Sequence, residues 1–238
     1  MSVLRRLPGG LLSEVAPDWL GATAVLIGGG ESLTVAQGHY VGVAHAARRV
    51  RVIAVNDAYR VAPFADLCYF ADAEWWTWHK DRPDFKTFAG QKCSISDSSA
   101  KITDPAVHIL QNANGRGHSY GLSLDPKQIV TGKNSGYQAL NIAVLAGAKT
   151  IILLGFDARE PTPTSKTHWF GDHPKIEPVT AYADYRRAFS AGERAILAAG
   201  VRVINCSPGS AIDSFEKRTL EEALHETAAC PQGDAGPR

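Results

Sequence analysis

The stretch from Asn134 to Asp157, N-S-G-Y-Q-A-L-N-I-A-V-L-A-G-A-K-T-I-I-L-L-G-F-D, leaves few folds open. Asn134 and Ser135 are helix N-cap types, because a short polar side chain can accept from the exposed amides of a first turn. Tyr137, Leu140, Val144 and Leu145 then recur at helical spacing. Gly147 stands where a left-handed C-cap ends such a helix. Ile151–Leu154 is a short apolar run without alternation, the mark of a parallel strand covered on both faces. Gly155 and Asp157 follow at its carboxyl end, the edge at which open α/β sheets bind ligands. Asp157 has two readings there, as a ligand contact or as the cap of a turn.

A second unit has the same polarity. Thr23–Ile27 is apolar and is broken by Gly28, Gly29, Gly30, Glu31 and Ser32. Glycines after a strand let the backbone approach a phosphate, and a helix opening at Ser32 would add its own N–H groups. Leu33 stands where the dinucleotide fingerprint has its third glycine, so the turn reads equally as a phosphate cradle or as a plain tight turn.

The same rhythm continues. Val50–Val55 ends in Asn56 and Asp57, and Leu67–Phe70 ends in Asp72 and Glu74. Strands that stop at polar residues predict an α/β fold: a doubly wound, mostly parallel, Rossmann-like sheet with its site at the carboxyl edge. Trp75, Trp76 and Trp78 fall on a short helix that either covers the sheet or lines a pocket mouth. Phe85–Phe88, Lys92–Ile95 and Val107–Leu110 read as short strands of an insertion over about 80–130, which includes the glycine-rich loop Asn112–Gly121. Ala158–Pro178 reads as a lid-like loop. A helix then carries Tyr182, Tyr185, Phe189 and Ile196 on one face and ends at Gly200, before a last strand at Val201–Ile204.

These elements make one nucleotide-binding domain over 23–228, with an N-terminal extension (1–22) and a frayed tail (229–238). With 238 residues, 45% of them hydrophobic, the chain is ample for one such core. A formal charge of +1 with scattered Lys and Arg gives no case for nucleic acid or a membrane surface, and no apolar stretch is long enough for a membrane span. Four cysteines without a C-x-x-C pair fit a reduced, cytoplasmic compartment. Nothing in the sequence sets the oligomeric state.

Six short segments, taken in order, resemble a known set: G-G-G-E-S-L (Gly28–Leu33), V-N-D-A-Y (Val55–Tyr59), N-S-G (Asn134–Gly136), L-L-G-F-D (Leu153–Asp157), H-W-F-G-D-H (His168–His173) and N-C-S-P-G-S (Asn205–Ser210). The chain resembles the bacterial lipooligosaccharide sialyltransferases and their wider relatives, among them the 6-hydroxymethylpterin diphosphokinase-like and the motility-associated flagellin glycosylation proteins. The resemblance implies a nucleotide-dependent transferase using a CMP-sugar donor and an unidentified acceptor. It implies that the turn (Gly28, Gly30, Ser32) and the loop Asn134, Ser135 and Gly136 hold the nucleotide and that Asn56 contacts the donor; Gly29 and Asp57 beside them are read into the same nucleotide site, with Asp157 and Arg159. It implies that His173 is the general base, with His168 the other candidate; an imidazole suits this because it titrates near neutrality.

Two departures stand out. Asp172 adds a residue before the second histidine, and Ala158 and Arg159 replace tyrosines that address the phosphate in the sialyltransferases. Arg159 offers a bidentate phosphate partner instead. The pterin relatives imply an alternative, diphosphokinase chemistry on ATP with Mg²⁺ held by Asp57, Asp72 or Asp157. A metal site from Asp157, His168, Asp172 and His173 is chemically allowed, although its spacings match no familiar site, and no resident metal is expected. A third reading is a non-catalytic nucleotide-binding protein.

Overall fold

A computed structural model of the chain describes residues 2–96, 102–115, 119–160, 162, 168–171 and 179–229. The chain begins with β1 (Leu4–Arg6) and β2 (Ser13–Val15), an antiparallel pair. The main strands follow: β3 (Thr23–Ile27), β4 (Arg51–Val55), β5 (Leu67–Tyr69), β6 (Gln91–Ile95), β7 (Val107–Asn112), β8 (Gln128–Ile129), β9 (Thr150–Leu154), β10 (Arg202–Asn205) and β11 (Glu216–Lys217). Among the described residues these nine form a single sheet in the order β11-β10-β9-β3-β4-β5-β6-β7-β8, and every pairing is parallel. The expected α/β Rossmann-like architecture is what the chain adopts. From β3 the order runs outward one way to β8, then returns to β9 on the other side of β3. The β3–β9 junction is thus the switch point, where loops leaving the two strands diverge and open a crevice.

Both faces are covered, which is why the strands read as unbroken apolar runs. Val25, Ile27, Val52 and Ala54 face α1 (Val35–Ala46), α2 (Ala73–His79), α3 (Pro83–Lys86) and α6 (Leu220–Ala229). Ala24, Leu26, Ile53 and Val55 face α4 (Ser135–Leu145), α5 (Val179–Ala198) and the first residues of the chain. Gly147, at φ 91°, ends α4 as its position predicts. Its amide bonds to Val144 O at 3.0 Å and that of Ala148 to Ala143 O at 3.1 Å, the two bonds of a Schellman cap.

Three local expectations are corrected. Phe85–Phe88 is not a strand: Pro83 occupies the first turn of α3, where its missing N–H costs nothing. The stretch expected as an insertion instead extends the main sheet through β6, β7 and β8. Ser32 does not open α1; Thr34 caps it, accepting from the Gln37 amide at 3.2 Å while the Gln37 side chain returns to the Thr34 amide.

Residues 2–22 are bound to the body. Val3, Leu4, Val15 and Trp19 are buried in the core beneath the sheet. Gln91 clamps Leu4 through both its amide oxygen and nitrogen, at 2.9 Å each. Its nitrogen also faces His108 Nε2 at 3.2 Å, so that ring atom accepts and Nδ1 donates to Ser13 Oγ at 2.9 Å. The network works only with a neutral imidazole. Among the described residues, no helix is long and apolar enough to cross a membrane.

Burial, with the Arg6 guanidinium beside it, pushes His108 down to about 4. A histidine with a depressed folded-state value contributes stability that is complete above its unfolded value of roughly 6.5. That stability is lost as the pH falls through the window towards about 4. Melting temperatures from pH 7 to pH 4 should therefore fall more steeply for the wild type than for His108→Gln. Parallel curves would remove His108 from the acid response.

Candidate functional site

The floor of the crevice is made by two loops pressed together. The Gly28 amide donates to Leu154 O at 2.8 Å, and the Gly30 amide to Gly155 O at 2.9 Å. Gly155 turns the chain at φ 73°. Asp157, which is buried, then reaches under the glycine turn: one oxygen accepts from the Ser32 amide at 2.9 Å and the other from the Ser32 hydroxyl. The turn that Asp157 caps is the one before α1, far back in the chain, rather than a turn that follows it, and Asp157 also lines the cavity. The loop after β10 holds the same segment from the other side. Ser207 Oγ accepts from the Phe156 amide at 2.8 Å, Ser210 Oγ donates to Phe156 O at 2.6 Å, and the Ala211 amide donates to Asp157 O at 2.8 Å.

This packing explains the glycines. A Cβ on Gly28 would sit 2.6 Å from Gly155 O, and one on Gly30 2.6 Å from Asp157 Cγ and 2.7 Å from Gly155 O. A Cβ on Gly136 would collide with the Phe156 ring. Phe156, which the sequence reading passed over, is the wedge between the turn and the start of α4. Only Gly29 has room, with His168 Nδ1 as its one neighbour at 3.5 Å.

Above this floor is a cavity of about 940 Å³. Gly28, Gly29, Gly30, Asn56, Asp57, Asn134, Ser135, Gly136, Asp157, Arg159 and His168 all line it, so the residues singled out from separate segments converge on one place. Ser32 lies beneath it, bonded to Asp157. Asp172 and His173, the first choice for the base, lie outside the described residues, as do 161, 163–167 and 174–178 of the expected lid-like loop.

The lining divides into groups committed to the protein and groups available to a ligand. Asp57 belongs to the first: its oxygens take Trp75 Nε1 at 2.8 Å and His79 Nε2 at 3.1 Å, with Arg60 at 3.7 Å. Asn134 accepts from the Tyr137 amide at 3.0 Å as the N-cap of α4. That leaves the Ser135 and Gly136 amides, the first two of the helix, without an acceptor among the described residues. Asn56 is different. Its backbone is left-handed at φ 52°, and its Oδ1 is buried with no hydrogen-bond partner among the described residues. A strained residue with an unsatisfied acceptor in a crevice is the kind of feature that a ligand completes.

His168 sits at the rim with its ring fixed. Nδ1 lies 3.2 Å from Gly29 O, and a carbonyl can only accept, so Nδ1 carries the proton and the Nε2 of the neutral ring carries the lone pair. Further around, Lys133 (φ 54°) pairs with Asp184 at 2.9 Å, and Tyr182 and Tyr185 of α5 enter the wall. Neither Lys133 nor the tyrosines' approach was legible, since no spacing rule brings α5 to the α4 start. Trp75 is buried against the sheet, whereas Trp78 is 40% exposed at the mouth, so the tryptophans serve both expected roles.

The three carboxylates read as Mg²⁺ holders, Asp57, Asp72 and Asp157, all line the cavity. Both oxygens of Asp57 and of Asp157 are engaged by protein donors. Among the described residues, no three His, Cys, Asp or Glu side chains converge as ligands. Comparison with protein-family models, curated proteins and solved structures finds no match for this chain.

Gly30→Ala should cost about 1–3 kcal/mol of folding stability, the usual range for overpacking, because the added methyl meets backbone as well as Asp157. Gly29→Ala should change stability by no more than about 0.5 kcal/mol. Urea unfolding midpoints compare the two directly. Equal losses would show that the seam is not what selects glycine at position 30.

Proposed function

We propose that this chain is a nucleotide-dependent transferase, most like a CMP-sugar glycosyltransferase, with the cavity over the β3–β9 junction as its active site. The observation that carries the reading is Asn56: a buried amide oxygen, unpartnered among the described residues, on a left-handed backbone, aligned with a motif that the sialyltransferase resemblance assigns to the donor. A ligand N–H there removes a desolvation cost of roughly 1–3 kcal/mol that the free protein carries. The α4 N-terminus supplies the complementary element, two amides and the positive end of a helix dipole, suited to a phosphate. Arg159 and Lys133 add cationic groups at the same rim.

Catalysis then follows from position. The acceptor hydroxyl gives its proton to His168 Nε2 as its oxygen bonds to the anomeric carbon. The bond from that carbon to the phosphate oxygen breaks, and its electron pair leaves with CMP. Donors set before the reaction stabilise this departing charge without having to reorganise. His168 is preferred to His173 as base because its tautomer is set by the Gly29 carbonyl.

Thermal shift with CMP, UDP and ATP, the last with and without Mg²⁺, tests the nucleotide. CMP at about a hundredfold excess over its dissociation constant should add roughly 2.7 kcal/mol; a response only to ATP with Mg²⁺ would replace this reading with the diphosphokinase one. Asn56→Gly keeps the backbone unstrained and removes the acceptor, so CMP should bind roughly tenfold more weakly by calorimetry. His168→Ala should lower CMP release from CMP-sialic acid by about 10²–10⁴ while leaving CMP affinity intact. Unchanged turnover would reject His168 as the base.

A further inference from the structure

The segment His168–Gly171 closes on itself through reciprocal bonds, His168 N to Gly171 O at 3.1 Å and Gly171 N to His168 O at 3.0 Å. Among the described residues, Trp169 packs against the core on the α1 side of the sheet, and two polar attachments accompany it. The Gly29 carbonyl accepts from both the Trp169 amide and His168 Nδ1, each at 3.2 Å. The second attachment is Arg60, at the end of the 3₁₀ turn Asn56–Arg60 that follows β4. Its guanidinium carbon lies 5.6 Å from the Trp169 ring centroid and 5.9 Å from that of Phe170. These two rings meet edge to face at 84°, so the cation occupies the corner between them. Phe170 is in turn stacked on His168, with centroids 5.1 Å apart and planes within 5°. Behind Arg60 is Asp57, 3.7 Å away and itself fixed by Trp75 and His79.

We infer that Arg60 is a positioning residue: its cation, braced by Asp57, holds the Trp169–Phe170 corner and through it sets the His168 imidazole over the cavity. The chemistry suits the task. A guanidinium is planar and weakly hydrated, so it lies against aromatic faces while keeping an ion pair at its edge. Asp57 thereby acquires a purpose distinct from ligand binding, as the fixed end of a chain that runs Asp57, Arg60, Phe170, His168. The inference rests on His168 as base for its catalytic consequence, but not for the docking itself.

The experiment therefore reads both. In the ligand-free protein, hydrogen exchange at the Trp169 and Gly171 amides reports docking; Arg60→Ala should accelerate it by roughly tenfold, as loss of one local anchor would. With CMP-sialic acid as the probe, kcat should fall by about tenfold, short of the 10²–10⁴ expected for loss of the imidazole, while CMP affinity stays within about twofold. Arg60→Lys, which keeps a cation for the rings and Asp57 but loses the planar guanidinium, should recover part of both effects, and Arg60→Met should recover neither. Exchange that does not change in Arg60→Ala, or that Arg60→Met restores as well as Arg60→Lys does, overturns the inference. Accelerated exchange with unchanged kcat leaves Arg60 as the anchor and overturns His168 as the base.

Discussion

The seam where β3 and β9 end side by side governs the rest of the molecule. The strand pairing continues past the last strand residues as Gly28 N to Leu154 O and Gly30 N to Gly155 O, and Asp157 finishes it beneath Ser32. Side chains would hold these loops apart, so the seam exists only because glycine occupies both sides of it. Once it forms, Phe156 is directed against the start of α4 and the cavity above acquires its floor. Motifs that suggest phosphate contact thus serve first as architecture. The groups proposed to meet a ligand are their neighbours along the cavity wall: the first amides of α4, the Asn56 amide and the His168 ring.

Much of this was legible before any coordinates. The apolar runs of β3, β4, β9 and β10, the N-cap at Asn134 and the C-cap at Gly147 are local signals, and local physics decides them. The convergence of Asn56, Asn134 and Asp157 followed from the rule that parallel strands deliver their carboxyl ends to one edge. What failed lay where two signals competed. Phe85 and Phe88 suggest a strand by composition, but Pro83 and Asp84 before them set a helical first turn. Ser32 and Thr34 are both cap types, and the choice fell to Thr34 because Asp157, 125 positions away, claims the Ser32 hydroxyl.

The roles of Phe156, Lys133, Arg60 and the α5 tyrosines were illegible for a different reason. Each depends on a neighbour far along the chain: Phe156 on Gly28 and Gly136, Lys133 on Asp184, Arg60 on Trp169 and Phe170. No periodicity records such pairings. A sequence read alone therefore identifies the edge at which a site forms better than it identifies the residues that keep the site in shape.

The two borders of the sheet carry a consequence for how copies of the chain can meet. A parallel sheet nine strands wide presents long hydrogen-bonding edges unless something blunts them, and such edges template strand addition. Here both outermost strands are two residues long. At one border, Glu216 and Lys217 lie among the ion pairs of Arg202, Arg218 and Asp213. Borders this short offer little template for strand addition from a second chain, and among the described residues both lie at the ends of the sheet, away from the β3–β9 crevice.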